Sequence, residues 1–347
     1  MMDAAIGIVG AGGWGSALAI LLASRGRCVT LWARDEAKVR RLSCSRVNEP
    51  YLPGIAFPAS VEFTSDLEAV ARHRYLILAV PAQGVRGLWQ RLAPLIRPGH
   101  LVLNTAKGIE LTTGKRLSEL LLENGALRRE QLAVLSGPNH AEEVARGLPT
   151  ATVVAAHASE TALAWQELLM TPVFRVYTSD DVTGVELGGA LKNVIALACG
   201  IADGLGYGDN TKAAIITRGL AETARLGIAL GAHPITFSGL SGVGDLIATC
   251  YSSHSRNTRA GRLIGKGVSI NEVIGSTPMV IEGIPTCRAA LVLAQRMGVE
   301  MPITQAVSDV LFGGKNPSEL VSGLMGRDPK AEHLDLFSKL SATGDPL

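Results

Sequence analysis

The chain has 347 residues, which is longer than a single hydrophobic core usually extends, so two domains are the first expectation. Hydrophobic residues make up 47% of the chain and charged residues 18%, a balance that excludes a chain disordered throughout. The formal net charge is only +2, and no dense run of Lys and Arg occurs. The composition therefore gives no support to a nucleic-acid-binding protein or a membrane-surface protein.

Cysteine usage and the N-terminal segment indicate the compartment. The five cysteines are odd in number and widely spaced, which favours free thiols in a reducing compartment, and we expect the cytoplasm: Cys28, Cys44, Cys199, Cys250 and Cys287. The apolar N-terminal segment follows Asp3 instead of a basic leader, and glycines interrupt it. We therefore interpret it as a buried strand followed by a helix, with no membrane insertion.

A glycine-rich turn near the N-terminus is the first motif with a chemical meaning. The apolar run Ile6–Val9 leads into GAGGWG, in which Gly10, Gly12 and Gly15 match the G-x-G-x-x-G spacing, and a helical pattern follows over residues 16–24. Such glycines permit a tight turn, a close approach of backbone to a pyrophosphate, and close packing of the helix on the strand. The helix N-terminus then offers free N–H groups to the phosphates. The context predicts a dinucleotide site, and the alternative is a purely structural turn.

The next strand, CVTLWARDE, bears on the choice of cofactor. At its end stand Ala33 and Arg34, with Asp35 and Glu36 just beyond. An acidic residue at this point hydrogen-bonds the ribose of NAD, whereas an arginine accommodates the 2′-phosphate of NADP. Arg34 favours NADPH or dual use, while Asp35 remains open as a ribose ligand because strand ends are uncertain by a few residues.

Further apolar strands alternate with helical stretches, which predicts a Rossmann-type doubly wound parallel sheet covered on both faces. The predicted strands lie at residues 75–82, 101–108, 132–139, 151–156 and 174–179. Ligands of such sheets bind beyond the carboxyl ends of the strands. Lys107 and the SGPN turn at residues 136–139 fall there, so we expect Lys107 to be functional rather than a surface residue.

Beyond residue 181 the pattern becomes helical, with predicted helices at residues 212–230, 243–250, 286–296 and 303–312. Two stretches carry more polar groups than helix caps require: one contains Asp245, the other the run Ser255, Arg256 and Asn257. A guanidinium beside hydroxyl and amide donors suits a phosphate. An ordinary polar loop that caps a helix is the alternative. We expect domains at residues 1–180 and 181–330, followed by a tail at 331–347.

The segment from Asp181 to Gly204 joins the two parts. One helical stripe is apolar and predicted to be buried: Leu191, Val194, Ile195 and Ala198. The flank of Lys192 is shared only with small uncharged residues: Gly188, Gly189, Ala196 and Cys199. A lysine in such company is either a surface residue extending from a core helix or a functional group.

The sequence resembles the bacterial-type NAD(P)-dependent glycerol-3-phosphate dehydrogenases over nearly its whole length. The resemblance rests on GAGGWGSALA, LAVPA, NTAKGIE, LSGPNHAEEVARG, FSGLSGVGDLIATC, SRNTRAG and VIEGIP, and above all on the segment from Glu186 to Glu222. It implies a Rossmann domain followed by an all-α domain. The implied activity is the reversible reduction of dihydroxyacetone phosphate to sn-glycerol 3-phosphate with NADPH or NADH, which feeds phospholipid synthesis.

The resemblance also implies roles for residues. Lys192 would transfer the proton, with Lys107 and Asp245 beside it among the catalytic groups. The remaining substrate contacts would be Gly137, Asn139, Ser255, Arg256 and Asn257. The cofactor contacts would be Gly10, Gly12, Gly13, Trp14, Gly15, Arg34, Lys107, Ala141, Arg256, Val280 and Glu282. Position 139 departs modestly from the family, in which Ser or Thr is also familiar, but Asn can still donate a hydrogen bond.

Alternatives remain at this point. A two-domain reductase of the ketopantoate or 2-hydroxyacid type shares the architecture, although the phosphate-suited SRN run and the Lys192 segment argue against it. A nicotinamide-sensing protein without turnover would explain the glycine-rich turn but not the two lysines. The resemblance further implies a homodimer and a small phosphorylated three-carbon substrate, with no metal. Whether Lys192 acts mainly as a proton donor or as a fixed charge stays open.

Overall fold

The computed structural model describes residues 5–277 and 279–329. They form two compact units, the first comprising the residues up to Glu110 together with Lys115–Glu186, and the second Leu111–Gly114 together with the residues from Leu187 onward. The predicted tail at residues 331–347 lies outside the described residues.

The first unit is built on one sheet. Its strands are β1 Ile6–Val9, β2 Val29–Trp32, β3 Val61–Thr64, β4 Tyr75–Leu78, β5 Leu101–Asn104, β6 Leu132–Ser136, β7 Thr150–Ala156 and β8 Phe174–Ser179. The order across the sheet is β3-β2-β1-β4-β5-β6-β7-β8. Every residue of β1, β2 and β4 is buried, because central parallel strands are covered on both faces. The predicted Rossmann-type sheet is confirmed.

Three of the predicted strands are shorter than expected. The chain leaves the sheet after Leu78, Asn104 and Ser136, so each predicted segment joins a strand to the loop at its carboxyl end. Strand β3 was not predicted, because its burial falls from Val61 to Thr64 at the edge of the sheet and leaves no continuous apolar run. The loops at the carboxyl ends of these strands therefore begin where the apolar segments stop pairing with the neighbouring strands.

The sheet is predominantly, but not wholly, parallel. Strand β7 pairs antiparallel with β6, as Ser136 opposite Val153 shows, and β8 runs parallel to β7. The helix between β6 and β7 has only five residues, Ala141–Ala145. At ~1.5 Å per residue it is too short to return the chain along the sheet, so β7 enters from the edge where β6 ends. The expectation of uniformly parallel strands is wrong for these two.

Helices cover the sheet. In the first unit they are α1 Gly13–Ala23, α2 Glu36–Ser45, α3 Leu67–Ala71, α4 Val85–Leu92, α5 Leu117–Leu122, α6 Ala141–Ala145 and α7 Ser159–Leu169. Helix α1 is almost entirely buried, which explains why it lacks the polar face of a surface helix.

The described part of the second unit is helical, as predicted. Helix α8, Val182–Gly204, crosses the division between the units, and the others are α9 Asp209–Ala229, α10 Asp245–Tyr251, α11 Arg256–Gly265, α12 Ile270–Gly275, α13 Gly283–Met297, α14 Pro302–Phe312 and α15 Pro317–Met325. Helix α8 is long and apolar enough to cross a membrane, but its most apolar window is wholly buried inside the molecule. It is the core helix around which the second unit packs.

Helix α11 lies unusually close to α8. A Cβ atom on Gly200 would lie 2.2 Å from the carbonyl oxygen of Thr258, and one on Gly261 would lie 2.2 Å from that of Leu197. Glycines on both helices therefore let the two backbones touch where larger side chains would separate them. This contact brings the polar N-terminus of α11 against the middle of α8.

Candidate functional site

Three glycines of the glycine-rich turn in the first unit have different structural roles. Gly10 has φ +123°, in the region that L side chains rarely adopt. A Cβ on Gly15 would lie 1.9 Å from the Gly10 carbonyl oxygen, so only glycine allows α1 to start this close to the turn. A Cβ on Gly12, by contrast, would meet nothing within 4 Å. Gly12 thus leaves backbone exposed on the side from which a ligand can approach.

The start of α1 is suited to an anion. Gly12 is the N-cap residue, no side chain caps the helix, and its first turn contains no acidic residue. The unsatisfied N–H groups and the positive end of the helix dipole are then available to phosphate oxygens. The turn therefore fits the pyrophosphate of a dinucleotide, as the sequence predicted. Next to it, a Cβ on Gly13 would touch Ala141 at 3.7 Å, which brings Ala141, at the start of α6, beside the turn.

Two side chains that the sequence analysis did not identify hold this turn in place. Lys38 donates to the Ala11 carbonyl oxygen at 2.6 Å, and the Asn48 amide donates to the same oxygen at 3.1 Å. The Asn48 amide also reaches Ser16 on α1 at 2.8 Å. Burial, and then the charge of Arg41, lower the pKa of Lys38. No local pattern marks Lys38 or Asn48, because each meets the turn from more than 25 residues away.

Arg34 and Asp35, the two residues at the end of β2 that could select the cofactor, have different surroundings. Asp35 is the N-cap of α2, where its carboxylate accepts from the Ala37 N–H at 2.9 Å. Arg34 is exposed, and its side chain makes no hydrogen bond or ion pair with any residue that the structure describes. The carboxylate is engaged in capping, whereas the guanidinium is available for a ligand.

The remaining predicted residues of the first unit meet at the ends of β5 and β6. The Lys107 ammonium donates to the Gly137 carbonyl oxygen and to the Asn139 side-chain oxygen, both at 3.1 Å. The Asn139 amide in turn donates to Thr152 at 3.0 Å. Gly137 has φ +156°, and a Cβ there would lie 2.8 Å from the Thr152 Cα, so a side chain would disrupt the turn. Lys107 is therefore held by the SGPN turn and is no freely solvated surface lysine.

In the second unit, Lys192 is buried, with its side chain only 9% exposed. Its ammonium contacts the Asp245 carboxylate directly and donates to the Thr249 hydroxyl at 2.7 Å. Thr249 donates to the Asp245 carbonyl oxygen one turn back along α10 at 2.6 Å. The interpretation of Lys192 as a surface lysine is therefore wrong, because Asp245 and Thr249 compensate its burial with an ion pair and a hydrogen bond.

The small residues around Lys192 explain how Asp245 reaches it. A Cβ on Gly188, one turn before Lys192, would lie 2.4 Å from the Ser241 carbonyl oxygen. The segment Leu240–Gly244 thus packs backbone to backbone against α8, and α10 begins directly after it at Asp245. A larger residue at position 188 would push this segment, and with it Asp245, away from Lys192.

The SRN run is in part structural. Ser255 is the N-cap of α11 and accepts from the Thr258 N–H at 3.2 Å. Asn257 is buried, donates to the Asn193 side-chain oxygen at 2.8 Å and accepts from the Gly283 N–H at 2.9 Å. The capping alternative therefore holds for Ser255, and Asn257 links α11 to α8 and α13.

Arg256 differs from its two neighbours because it is exposed. Its guanidinium donates to the Val280 carbonyl oxygen at 3.0 Å, close to Glu282, the N-cap residue of α13. Three of the predicted cofactor contacts thus lie together at the start of α11 and α13. Thr249 and Asn193 were missed by the sequence analysis, although Thr249 stands four residues after Asp245 on the same helical face and could have been inferred from that spacing.

A glycine-rich turn at an uncapped helix start, in a parallel-dominated sheet, and a helical unit with a buried lysine–aspartate pair together define a Rossmann-type dehydrogenase. The family model described as NAD-dependent glycerol-3-phosphate dehydrogenase N-terminus matches residues 5–162, and the model for the C-terminus of the same family matches residues 181–322. The chain belongs to the NAD-dependent glycerol-3-phosphate dehydrogenase family and is an NAD(P)-dependent oxidoreductase.

Individual relatives support the same family assignment. Glycerol-3-phosphate dehydrogenase [NAD(P)+] of Moorella thermoacetica is 52% identical over 327 residues, which cover 94% of this chain and 97% of the relative. The enzyme of the same name from Geobacillus thermodenitrificans is 50% identical over 335 residues, covering 96% and 98%. The crystal structure of glycerol-3-phosphate dehydrogenase from Coxiella burnetii superimposes with a TM-score of 0.91 at 37% identity, covering 94% of this chain and all of that one.

Proposed function

We propose that the protein catalyses the reversible reduction of dihydroxyacetone phosphate to sn-glycerol 3-phosphate with NADPH or NADH. The observation that carries the proposal is the buried Lys192, held by Asp245 and Thr249 in a family of NAD-dependent dehydrogenases. The cofactor supplies or removes the hydride, and the residues of this chain bind, orient and exchange the proton.

Lys192 is the proposed proton-transfer residue. A ketone that receives hydride becomes an alkoxide, and a protonated lysine stabilises that charge and supplies the proton to the same oxygen. Asp245 and Thr249 fix the position of the Lys192 ammonium, so the donor needs little reorganisation during the reaction. After Lys192 donates its proton to the alkoxide, it takes up another proton from solvent; in the reverse direction it accepts the hydroxyl proton of glycerol 3-phosphate and releases it to solvent.

Lys107, Gly137 and Asn139 are the proposed substrate contacts of the first unit. The Lys107 ammonium donates to the Gly137 carbonyl oxygen and to the Asn139 side-chain oxygen. A positive charge oriented in this way at the carboxyl ends of β5 and β6 suits a polar, negatively charged substrate. In the second unit, Arg256 is the proposed phosphate ligand, with Ser255 and Asn257 holding the helix that presents it.

The cofactor contacts are proposed in two groups. The turn from Gly10 to Gly15, with Trp14 and Ala141, would hold the pyrophosphate, and Arg34 would pair with a 2′-phosphate. In the second unit, Val280 and Glu282 beside Arg256 complete the set. This assignment supports a functional division into a dinucleotide-binding domain at residues 1–180 and a catalytic domain at residues 181–330.

Further features of the family are proposed for this chain. We expect a cytoplasmic homodimer whose product enters phospholipid synthesis. The three buried cysteines and two exposed ones, all free thiols, are consistent with a reducing compartment. Size-exclusion chromatography with light scattering would test the dimer, and a monomeric mass would contradict it.

A substrate panel tests the function. Purified protein should oxidise NADPH or NADH with dihydroxyacetone phosphate, and show no comparable activity with 2-keto acids such as ketopantoate. Turnover on the keto acids alone would favour a reductase of that type. Saturable cofactor binding without turnover on any substrate would favour the sensor.

The cofactor preference is tested at Arg34. Arg34→Gln should lower kcat/KM with NADPH by about 10-fold and leave kcat/KM with NADH nearly unchanged, because one charge-assisted contact to the 2′-phosphate is lost. Arg40→Gln is a matched control, since Arg40 is exposed on α2 and pairs with Glu36. Equal losses with both cofactors would contradict the role of Arg34.

A further inference from the structure

A cationic cavity lies in the first unit, and none of its lining residues is among those assigned above. It has a volume of about 570 Å³ and is lined by Arg25, Arg27, Leu168, Met170, Thr171, Pro172 and Arg175. Three of these residues are arginines and none is acidic. The glycine-rich turn stands at the start of α1, whereas Arg25 follows its end, about 16 Å away along the helix axis.

The arginines are presented by two firmly built turns. After α1, Gly26 adopts φ +72°, and the Arg27 N–H donates to the Leu22 carbonyl oxygen at 3.3 Å. Before β8, the N–H of Thr171 donates to the Phe174 carbonyl oxygen at 3.0 Å, and the reverse bond measures 3.3 Å. The cavity therefore needs little ordering of backbone when a ligand binds.

Two of the three guanidinium groups, those of Arg25 and Arg175, have no charged partner among the residues that the structure describes. Arg25 makes no side-chain hydrogen bond or ion pair with any residue that the structure describes. Arg175 contacts the Met170 sulfur at 3.9 Å and lies 5.6 Å from the centre of the Tyr177 ring, and neither partner carries a charge. The C-terminal end of α1 contributes only about half a negative charge, so the guanidinium groups of Arg25 and Arg175 outweigh it.

Thr171 adds a neutral donor to this set. It is only 8% exposed, and its hydroxyl oxygen accepts from the Val173 N–H at 3.3 Å, so its O–H proton can be donated to a ligand. Planar guanidinium donors combined with a hydroxyl match the oxygens of a phosphoryl group. A volume of this size is that of a small-molecule site.

We propose that this cavity binds a small phosphorylated metabolite through Arg25, Arg175 and Thr171, with Arg27 in its lining. It is a second anion site of the first unit, independent of the proposed substrate and cofactor contacts. Its ligand class is a phosphate or diphosphate ester.

Calorimetric titration with inorganic pyrophosphate tests the proposal, using the full-length enzyme saturated with reduced cofactor so that the dinucleotide site is filled. Wild type is compared with R25Q/R175Q. The double variant should bind pyrophosphate at least about 10-fold more weakly, while R25K/R175K retains most of the affinity. Basal kcat should stay unchanged, since neither arginine belongs to the proposed catalytic groups.

Two controls separate this site from the active site. Arg72→Gln removes an exposed arginine of the same unit that does not line the cavity, and it should bind pyrophosphate as wild type does. Arg256→Gln tests the proposed substrate phosphate site and should leave binding at the cavity intact. Equal affinity of wild type and R25Q/R175Q would overturn the proposal, whatever Arg256→Gln does.

A membrane is the competing source of phosphoryl groups. Vesicles of phosphatidylglycerol should sediment no more wild-type protein than R25Q/R175Q protein. Loss of vesicle binding in the double variant with unchanged pyrophosphate affinity would overturn the assignment to a small metabolite.

Discussion

The glycine-rich turn of the first unit and the lysine cluster of the second unit are held in place by different interactions. In the turn, the conformation is set by backbone geometry within six residues, from the positive φ of Gly10 to the close approach at Gly15, and Lys38 and Asn48 add hydrogen bonds to one carbonyl oxygen. In the cluster, Lys192 depends on Asp245 and Thr249, which follow it by 53 and 57 residues. The turn therefore depends less on distant segments than the lysine cluster does, because the cluster is lost when the segment that carries Asp245 and Thr249 moves.

The largest expected effect is at the lysine cluster. Lys192→Ala should lower kcat by about 10²-fold to 10⁴-fold, the usual contribution of a positioned acid or base, with little change in the cofactor Kd. Lys266→Ala, which removes an exposed lysine after α11, serves as the control. Wild-type turnover of Lys192→Ala would refute the proposed role. In Lys192→Arg, loss of the pH dependence of kcat with substantial remaining rate would favour a fixed charge over a proton donor.

The second prediction concerns stability and pH in the second unit. Glu222 on α9 is 1% exposed and accepts from the N–H groups of Ile303 and Thr304, at the start of α14. Burial raises the pKa of its carboxyl from 4.5 to about 7, against the lowering effect of these hydrogen bonds. The folded state therefore keeps the proton over a pH range in which the unfolded chain has lost it.

The free energy of unfolding should fall as the pH rises from about 4.5 to 7, by about 3 kcal/mol for this group, and then level off. Glu222→Gln should remove this part of the pH dependence, measured as Tm or by denaturant unfolding at a series of pH values. Parallel pH curves for the variant and wild type would contradict the assignment to Glu222.

The third prediction separates two glycines of the turn. Gly15→Ala should destabilise the first unit by about 1–3 kcal/mol, because its Cβ would collide with the Gly10 carbonyl oxygen. Gly12→Ala should leave Tm nearly unchanged, since its Cβ would enter open space, but it should weaken cofactor binding about 10-fold by blocking backbone approach. If Gly12→Ala binds cofactor normally, the pyrophosphate does not approach on that side.

The smallest effect is a labelling pattern. Cys28 and Cys44 are exposed and should react readily with a thiol reagent in the folded protein, whereas Cys199, Cys250 and Cys287 are buried. The hydrogen bond with Cys199, followed by burial, raises the pKa of the Cys250 thiol, and burial raises that of Cys287 to about 12, which leaves little reactive thiolate. Two fast and three slow thiols by mass spectrometry are expected. Rapid labelling of Cys250 would show that α10 opens away from α8.

Features that depend on local periodicity and local backbone geometry were predictable from the amino-acid sequence. Ile6–Val9 is apolar enough to be a buried strand, and the spacing of the following glycines allows only a few turns, so both were predictable from neighbouring residues. The change to helical pattern after residue 181, and the buried stripe that includes Leu191 and Val194, were predictable for the same reason.

The hydrogen-bond partners of polar groups that are distant in sequence became known from the three-dimensional structure. The antiparallel entry of β7 depends on the short α6, and the role of Ser255 as a cap became evident only from its bond to Thr258. For Lys192, helical periodicity alone is compatible with both a surface and a buried lysine. The close approach of Ser241 to Gly188 brings Asp245 to the ammonium, and such a contact between segments remote in sequence leaves no periodic signal along the chain.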